Sequence, residues 1–194
     1  MPCNVKQMTK PVSVELIEDF LVVWNPAEAS KLYEKGYFGK PLGIPKPKTT
    51  TFDAPLILDL MEGLYLLEEG IIRVKEDSSS GRKVDPERLR ALAQEVYEDF
   101  NAKYAVYSDL RRNKYAVTPG IKYGCDFAVY KYGPGVEHAP YMVSVKKSGE
   151  DITATDIVKA GRLATTVRKR FIIASPSLKD EKDVQYLIFK WFKA

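Results

Sequence analysis

Residues 104–147, YAVYSDLRRNKYAVTPGIKYGCDFAVYKYGPGVEHAPYMVSVKK, change the character of the chain. The stretch opens as a helix end and then offers three strand candidates with glycine at the breaks. Beyond it, residues 154–169 read as a helix, and FIIAS (171–175) and VQYLIFKWF (184–192) read as closing strands. Upstream, short strands alternate with capped helices. The expected architecture is α+β: a small N-terminal α/β domain over residues 12–103, then a C-terminal mixed sheet with one helix packed on it over residues 104–194.

The N-terminal half carries the clearer local signals. Residues 12–24, VSVELIEDFLVVW, read as two strands around Glu18-Asp19. Asn25-Pro26-Ala27-Glu28 then supplies an N-cap, a proline at the first helical position and a capping-box glutamate. This helix is expected to stop at Gly36. Residues 37–53 hold three prolines and three consecutive threonines and read as loop or extended edge. Asp59 and Glu62 form a second capping box, with Leu60, Leu64 and Leu67 on one face and Gly70 as the stop. A strand from Ile71 leads through the turn DSSSGRK to Asp85-Pro86, which opens a third helix. Its stripe of Leu89, Leu92, Val96, Phe100 and Tyr104 predicts one long helix leading out of the first domain.

The chain has 194 residues, 45% of them hydrophobic, so it can build a core and disorder is excluded as its main state. Its apolar runs are far shorter than the roughly 20 residues of a membrane span, and the expectation is a soluble, cytoplasmic protein. Many charges and few amides suit a heat-adapted chain. The net charge of +4 is too small by itself to demand a nucleic-acid partner. Two cysteines and one histidine cannot build a Cys/His zinc site. There is no P-loop, GxGxxG or GxSxG.

The charges are placed unevenly. From Lys159 to Arg170 there are five basic residues and no acidic one. A solvated helix face is the plain reading, but such a cluster repels itself unless an anion sits there, which points to phosphate. In the same helix Ile157, Ala160, Ala164, Val167 and Phe171 repeat at helical spacing and are expected to face the core. His138, the lone imidazole, follows the glycine-proline turn 133–135. It reads either as a surface residue or as a group that donates a proton to a leaving oxygen near neutral pH. A restriction-type two-metal nuclease needs a carboxylate two residues before Lys146, where Ser144 stands. The expectation is a chain without metal or cofactor.

Three motifs in order carry a family resemblance: Gly124-x-Asp126-Phe127-x-x-Tyr130, Gly133-Pro134-x-x-x-His138, and Arg162-Leu-Ala-x-x-Val-Arg-Lys169. Together they resemble the catalytic domain of archaeal tRNA-splicing endonucleases, and residues 58–70 are similar to that family's N-terminal domain. The resemblance implies a nuclease domain like the restriction-endonuclease fold, and a Tyr130, His138 and Lys169 triad. It also implies metal-independent cutting of precursor tRNA at both exon–intron junctions, in a bulge–helix–bulge fold, to 2′,3′-cyclic phosphate and 5′-hydroxyl ends. Arg162 matches a cation that clamps an extruded base. Lys190 is a candidate for a second, and Lys159 and Arg168 complete the expected RNA-binding set.

The chemistry is self-consistent. RNA supplies its own 2′-hydroxyl nucleophile, so the protein needs a base (Tyr130), an acid (His138) and a cation (Lys169). The base role asks the phenol pKa to fall, helped by neighbouring cations. An imidazolium acid makes the rate fall as pH rises. The family also implies a tetramer, homomeric or paired with a structural subunit, since two cuts need two rigidly held sites. The loop 179–183, KDEKD, suits docking on a basic neighbour or is a solvated hairpin turn. The competing readings are a non-catalytic structural subunit of the same complex and an RNA-binding module without cleavage.

Overall fold

A computed structural model describes residues 10–45, 47–76, 81–166, 169–178 and 183–189, with the backbone alone for 163–166. The chain forms two compact units that part between Phe100 and Asn101.

The N-terminal unit grows from the hairpin read in the sequence. Strands β1 (Val12–Ile17) and β2 (Phe20–Val23) pair antiparallel around Glu18-Asp19. With β3 (Lys40–Pro41), β4 (Leu56–Leu58), β5 (Ile72–Glu76) and β6 (Lys83–Val84) they make a sheet of order β3-β4-β2-β1-β5-β6, parallel only between β1 and β5. Period-2 alternation sends Val12, Val14, Leu21, Val23, Leu56, Leu58 and Val74 to one buried face. Helix α2 (Leu60–Glu68) packs there, so closely that a Cβ on Gly63 would lie 2.5 Å from a Leu21 methyl. Its capping box is complete: Asp59 Oδ1 accepts from the Glu62 N–H at 2.8 Å, and Glu62 Oε2 accepts from the Asp59 N–H at 3.3 Å. Glu62 is buried yet satisfied, because its other oxygen accepts from the Gly39 N–H. The expected Leu60/Leu64/Leu67 stripe is too narrow; Met61, Tyr65 and Leu66 are buried as well, and Leu67 less so.

Two helix boundaries differ from expectation. Helix α1 (Pro26–Gly36) starts at Asn25 as read, but it passes through Gly36, and Tyr37 takes the left-handed cap at φ 55°. Gly36 serves packing instead: a Cβ there would meet the Phe38 ring at 2.7 Å. The long third helix is two, α3 (Pro86–Val96) and α4 (Phe100–Arg112). The chain leaves α3 at Tyr97 in extended conformation and turns through Asp99 at φ 55°. The break lets the half-buried Tyr97 phenol accept from the Leu60 N–H at the start of α2, where burial and the nearby Asp59 and Glu62 carboxylates push its pKa up. Val96, expected in the stripe, is exposed in consequence.

The C-terminal unit is a five-stranded mixed sheet of order β11-β10-β9-β8-β7. Its strands are β7 (Ala116–Pro119), β8 (Phe127–Tyr130), β9 (Tyr141–Val145), β10 (Arg170–Pro176) and β11 (Val184–Phe189). Only β9 and β10 run parallel, joined by helix α5 (Ala154–Thr166). Ala128, Met142, Phe171 and Ile173 cluster on one face with Ala160 of α5. The other face presents Phe127 to Tyr107 of α4, so two helices rather than one cover the sheet. The expected α5 core stripe holds at Ala160 and fails at Ile157, which is 51% exposed; Phe171 reaches the core from β10 instead. Ala164 and Val167 lie outside the described side chains. Among the described residues no helix is long and apolar enough to cross a membrane.

Candidate active site

Tyr130 ends β8, on the face that carries Ala128 and looks toward α5. It packs against the same core cluster as Tyr123, which closes a single 3₁₀ turn (Ile121–Tyr123) between β7 and β8. Gly120 makes that turn possible, since a Cβ there would strike the Cys125 sulfur and carbonyl at 2.6 and 2.8 Å. Burial pushes the Tyr130 phenol above its ordinary range; a hydrogen bond with the Thr118 side chain opposes, while Tyr123 and Glu137 add to the rise. This reverses the expected fall. The groups that act on the phenol are hydroxyls and a carboxylate, not cations, and desolvation disfavours a phenolate.

Lys169 is not on the basic helix. It lies between α5 and β10, whose first residue, Arg170, pairs with Tyr141 and donates its N–H to Pro140 O. That pairing draws Lys169 to the segment after His138, where Nζ donates to Ala139 O at 2.6 Å. The ammonium also stands 5.1 Å from the centre of the Tyr123 ring. Its pKa is lowered by burial first and by the Lys122 charge second.

The loop that carries His138 is tied by its own backbone. Gly133 O accepts from the N–H groups of Val136 and Glu137, Gly133 and Gly135 have positive φ, and the Glu137 carboxylate accepts from the Tyr132 N–H at 2.5 Å. The His138 side chain is exposed. Tyr123 thus acts on the Tyr130 phenol and lies under the Lys169 ammonium, while the chain neighbours of His138 reach both: Glu137 acts on the Tyr130 phenol, and Ala139 O holds Lys169. Among the described residues no hydrogen bond joins phenol, imidazole and ammonium to each other.

Lys159 and Arg162 are exposed on α5, and Lys159 Cε approaches to 4.0 Å of a Cβ position on Gly124. Arg168 and Lys190 lie outside the described residues, as does the acidic loop over 179–182. Asp126 is committed to structure: it accepts from the Val145 N–H at 2.8 Å and pairs with Lys103 at 3.3 Å. Reading the sequence missed Thr118, Lys122 and Tyr123. The available signal was Gly120 and Gly124 bracketing a Lys-Tyr pair just before β8. Chemically, the arrangement offers an exposed imidazole, a half-buried phenol and clustered ammonium groups, a set suited to proton transfer at a phosphate.

Comparison with known proteins is consistent along the chain. The family model described as tRNA intron endonuclease, N-terminal domain, matches residues 12–90, and the model for the catalytic C-terminal domain matches residues 100–186. A tRNA-splicing endonuclease of Hyperthermus butylicus is 48% identical over 172 residues, covering 89% of this chain and 93% of that protein. Relatives of the same name from Sulfurisphaera tokodaii and Sulfolobus acidocaldarius are 41% and 38% identical over 180 residues each, covering 92% of this chain and 98% and 97% of theirs. By these matches, which span both of its units, the chain belongs to the tRNA intron endonuclease family.

Proposed function

We propose that this chain is the catalytic subunit that cuts precursor tRNA at both exon–intron junctions, within a bulge–helix–bulge fold and without metal. The observation that carries the reading is the Lys169–Ala139 bond, which holds an ammonium at the peptide following His138, over the Tyr123 ring. In the reaction the 2′-oxygen attacks phosphorus as the P–O5′ bond breaks. Tyr130 accepts the 2′ proton, His138 gives a proton to the departing 5′ oxygen, and Lys169 neutralises charge on the non-bridging oxygens. One well-placed donor of this kind is worth about 3–4 kcal/mol. Arg162, Lys159, Arg168 and Lys190 hold the RNA, Arg162 against an extruded base.

Four such chains, or two with two structural partners, supply the pair of sites that two cuts require. The β11 strand, at the edge of its sheet, leaves main-chain groups for pairing with a neighbour. The decisive experiment incubates the purified protein with bulge–helix–bulge RNA in EDTA. Cyclic-phosphate ends, lost in His138→Ala, support the reading; binding without cutting sinks it in favour of a structural subunit or an RNA-binding module.

A further inference from the structure

We propose that the solvent-facing side of the N-terminal sheet is a second RNA-binding surface, one that takes the phosphate backbone of double-helical RNA independently of the cleavage site. The inference deepens the proposed function and rests on it for the identity of the polyanion.

The register defines this face. Lys40 lies opposite Ile57, Ile57 opposite Val22, Val22 opposite Glu15, Glu15 opposite Lys75, and Lys75 opposite Lys83. One row therefore crosses all six strands, and paired residues point to the same side. Ser13 and Arg73 form the adjacent row. Trp24, two residues beyond Val22, joins this face, because its indole N–H donates to the Glu15 carboxylate. The inward neighbours Val12, Val14, Leu21, Val23, Leu56, Leu58, Ile72 and Val74 are core, and α2 lies on their side against Leu21, while on the outward row Val22 is itself buried between more exposed neighbours.

The face carries four exposed cations, Lys40, Arg73, Lys75 and Lys83, and one carboxylate, Glu15, which the indole already engages. Among the described residues none of the four forms an ion pair. Among the described residues the other acids beside these strands include Glu18 and Asp19 in the hairpin turn at the end of β1, Glu76 at an inward position of β5, and Asp85, which caps α3 by accepting from the Arg88 N–H. Lys75 and Lys83 face each other across neighbouring strands, about 5 Å apart, and Arg73 lies about 7 Å further along β5. Half of the Trp24 surface is exposed, and Phe20 and Ile17 extend the apolar part of the face.

Cations grouped on a flat sheet, with the one carboxylate among them engaged by the indole, fit the regular phosphate array of a polyanion. A second copy of the face would bring like charges together, so self-association is disfavoured. Lysine and arginine on a flat surface read phosphate positions rather than base edges, which implies sequence-independent contact.

The test measures binding of full-length chain to a precursor tRNA across a salt series, for wild type and for Arg73→Gln/Lys75→Gln/Lys83→Gln. The triple variant is expected to raise Kd about tenfold near 0.1 M salt and to reduce the slope of log K against log salt by about 2–3. Its melting temperature should match wild type, and Arg73→Lys/Lys75→Arg/Lys83→Arg should restore binding. A control triple at Lys31, Lys48 and Arg88, exposed cations elsewhere on this unit, should change Kd much less. Unchanged Kd and slope overturn the proposal, as does an equal loss in the control triple. Loss of a protein partner with RNA affinity intact overturns it too, by making the face a protein interface. Cleavage by wild type is scored in parallel: a wild type that cuts while the variant binds normally refutes the face alone, and a wild type that neither binds nor cuts refutes the function and the face together.

Discussion

At Tyr130 burial decides the sign of a pH profile. A phenol held above its ordinary range is almost wholly protonated near neutral pH, so the phenolate that takes the 2′ proton in the proposed reaction is a minority form whose share grows as pH rises. The ratio of wild-type to Tyr130→Phe kcat/KM should therefore climb with pH through neutrality, since only the wild type gains phenolate. Both rates should fall in strong alkali, where the lowered Lys169 ammonium is lost. A ratio that stays level from pH 7 to 9 contradicts the base role. In the proposed mechanism Tyr123 positions Lys169 through its ring face. Replacing Tyr123 with Leu removes a cation–π contact of about 1 kcal/mol and should lower kcat about fivefold, whereas Tyr123→Phe keeps the ring and most of the rate. Equal losses in the two variants mean the ring face is irrelevant.

At the scale of elements, α5 depends on its start. Thr153 caps the helix by accepting from the Asp156 N–H at 3.2 Å, and the Asp156 carboxylate accepts from the Thr153 N–H and hydroxyl at 2.9 and 2.7 Å and pairs with Lys146 at 3.0 Å. These bonds hold the Asp156 carboxyl down at about 2, below its ordinary 3.8. A carboxyl depressed on folding stabilises above the unfolded pKa and loses that contribution as pH falls through the folded one. Melting midpoints should therefore drop between pH 4 and 2, and drop less in Asp156→Asn. Thr153→Ala should cost about 1 kcal/mol by denaturant titration. Gly63→Ala should cost about 1–3 kcal/mol, since its methyl must displace Leu21 from a fully buried site. A neutral result would show that α2 can shift away from the sheet.

For the whole molecule, counting sets the assembly: one chain carries one candidate site, and the proposed excision of an intron needs two cuts held at fixed separation. Native mass spectrometry of the active preparation should show four chains, either four copies or two copies with two of a second subunit. Full cleavage of both junctions by a monomer would overturn the assembly reading.

What the sequence alone determined was local or periodic. Caps at Asn25, Asp59 and Asp85, the Glu18-Asp19 turn and the strand alternation are written in neighbouring residues, and the structure keeps them. The order of three short motifs was enough to identify the family. Tertiary structure alone decided the rest, because each remaining feature depends on a partner distant in sequence. Helix α3 stops where Tyr97 reaches Leu60, 37 positions back along the chain. Lys169 leaves the basic helix because Arg170 pairs with Tyr141. Tyr123 gains its role only when the turn before β8 folds onto the start of β10, and the Tyr130 phenol rises rather than falls because folding removes water around it, a term no spacing encodes.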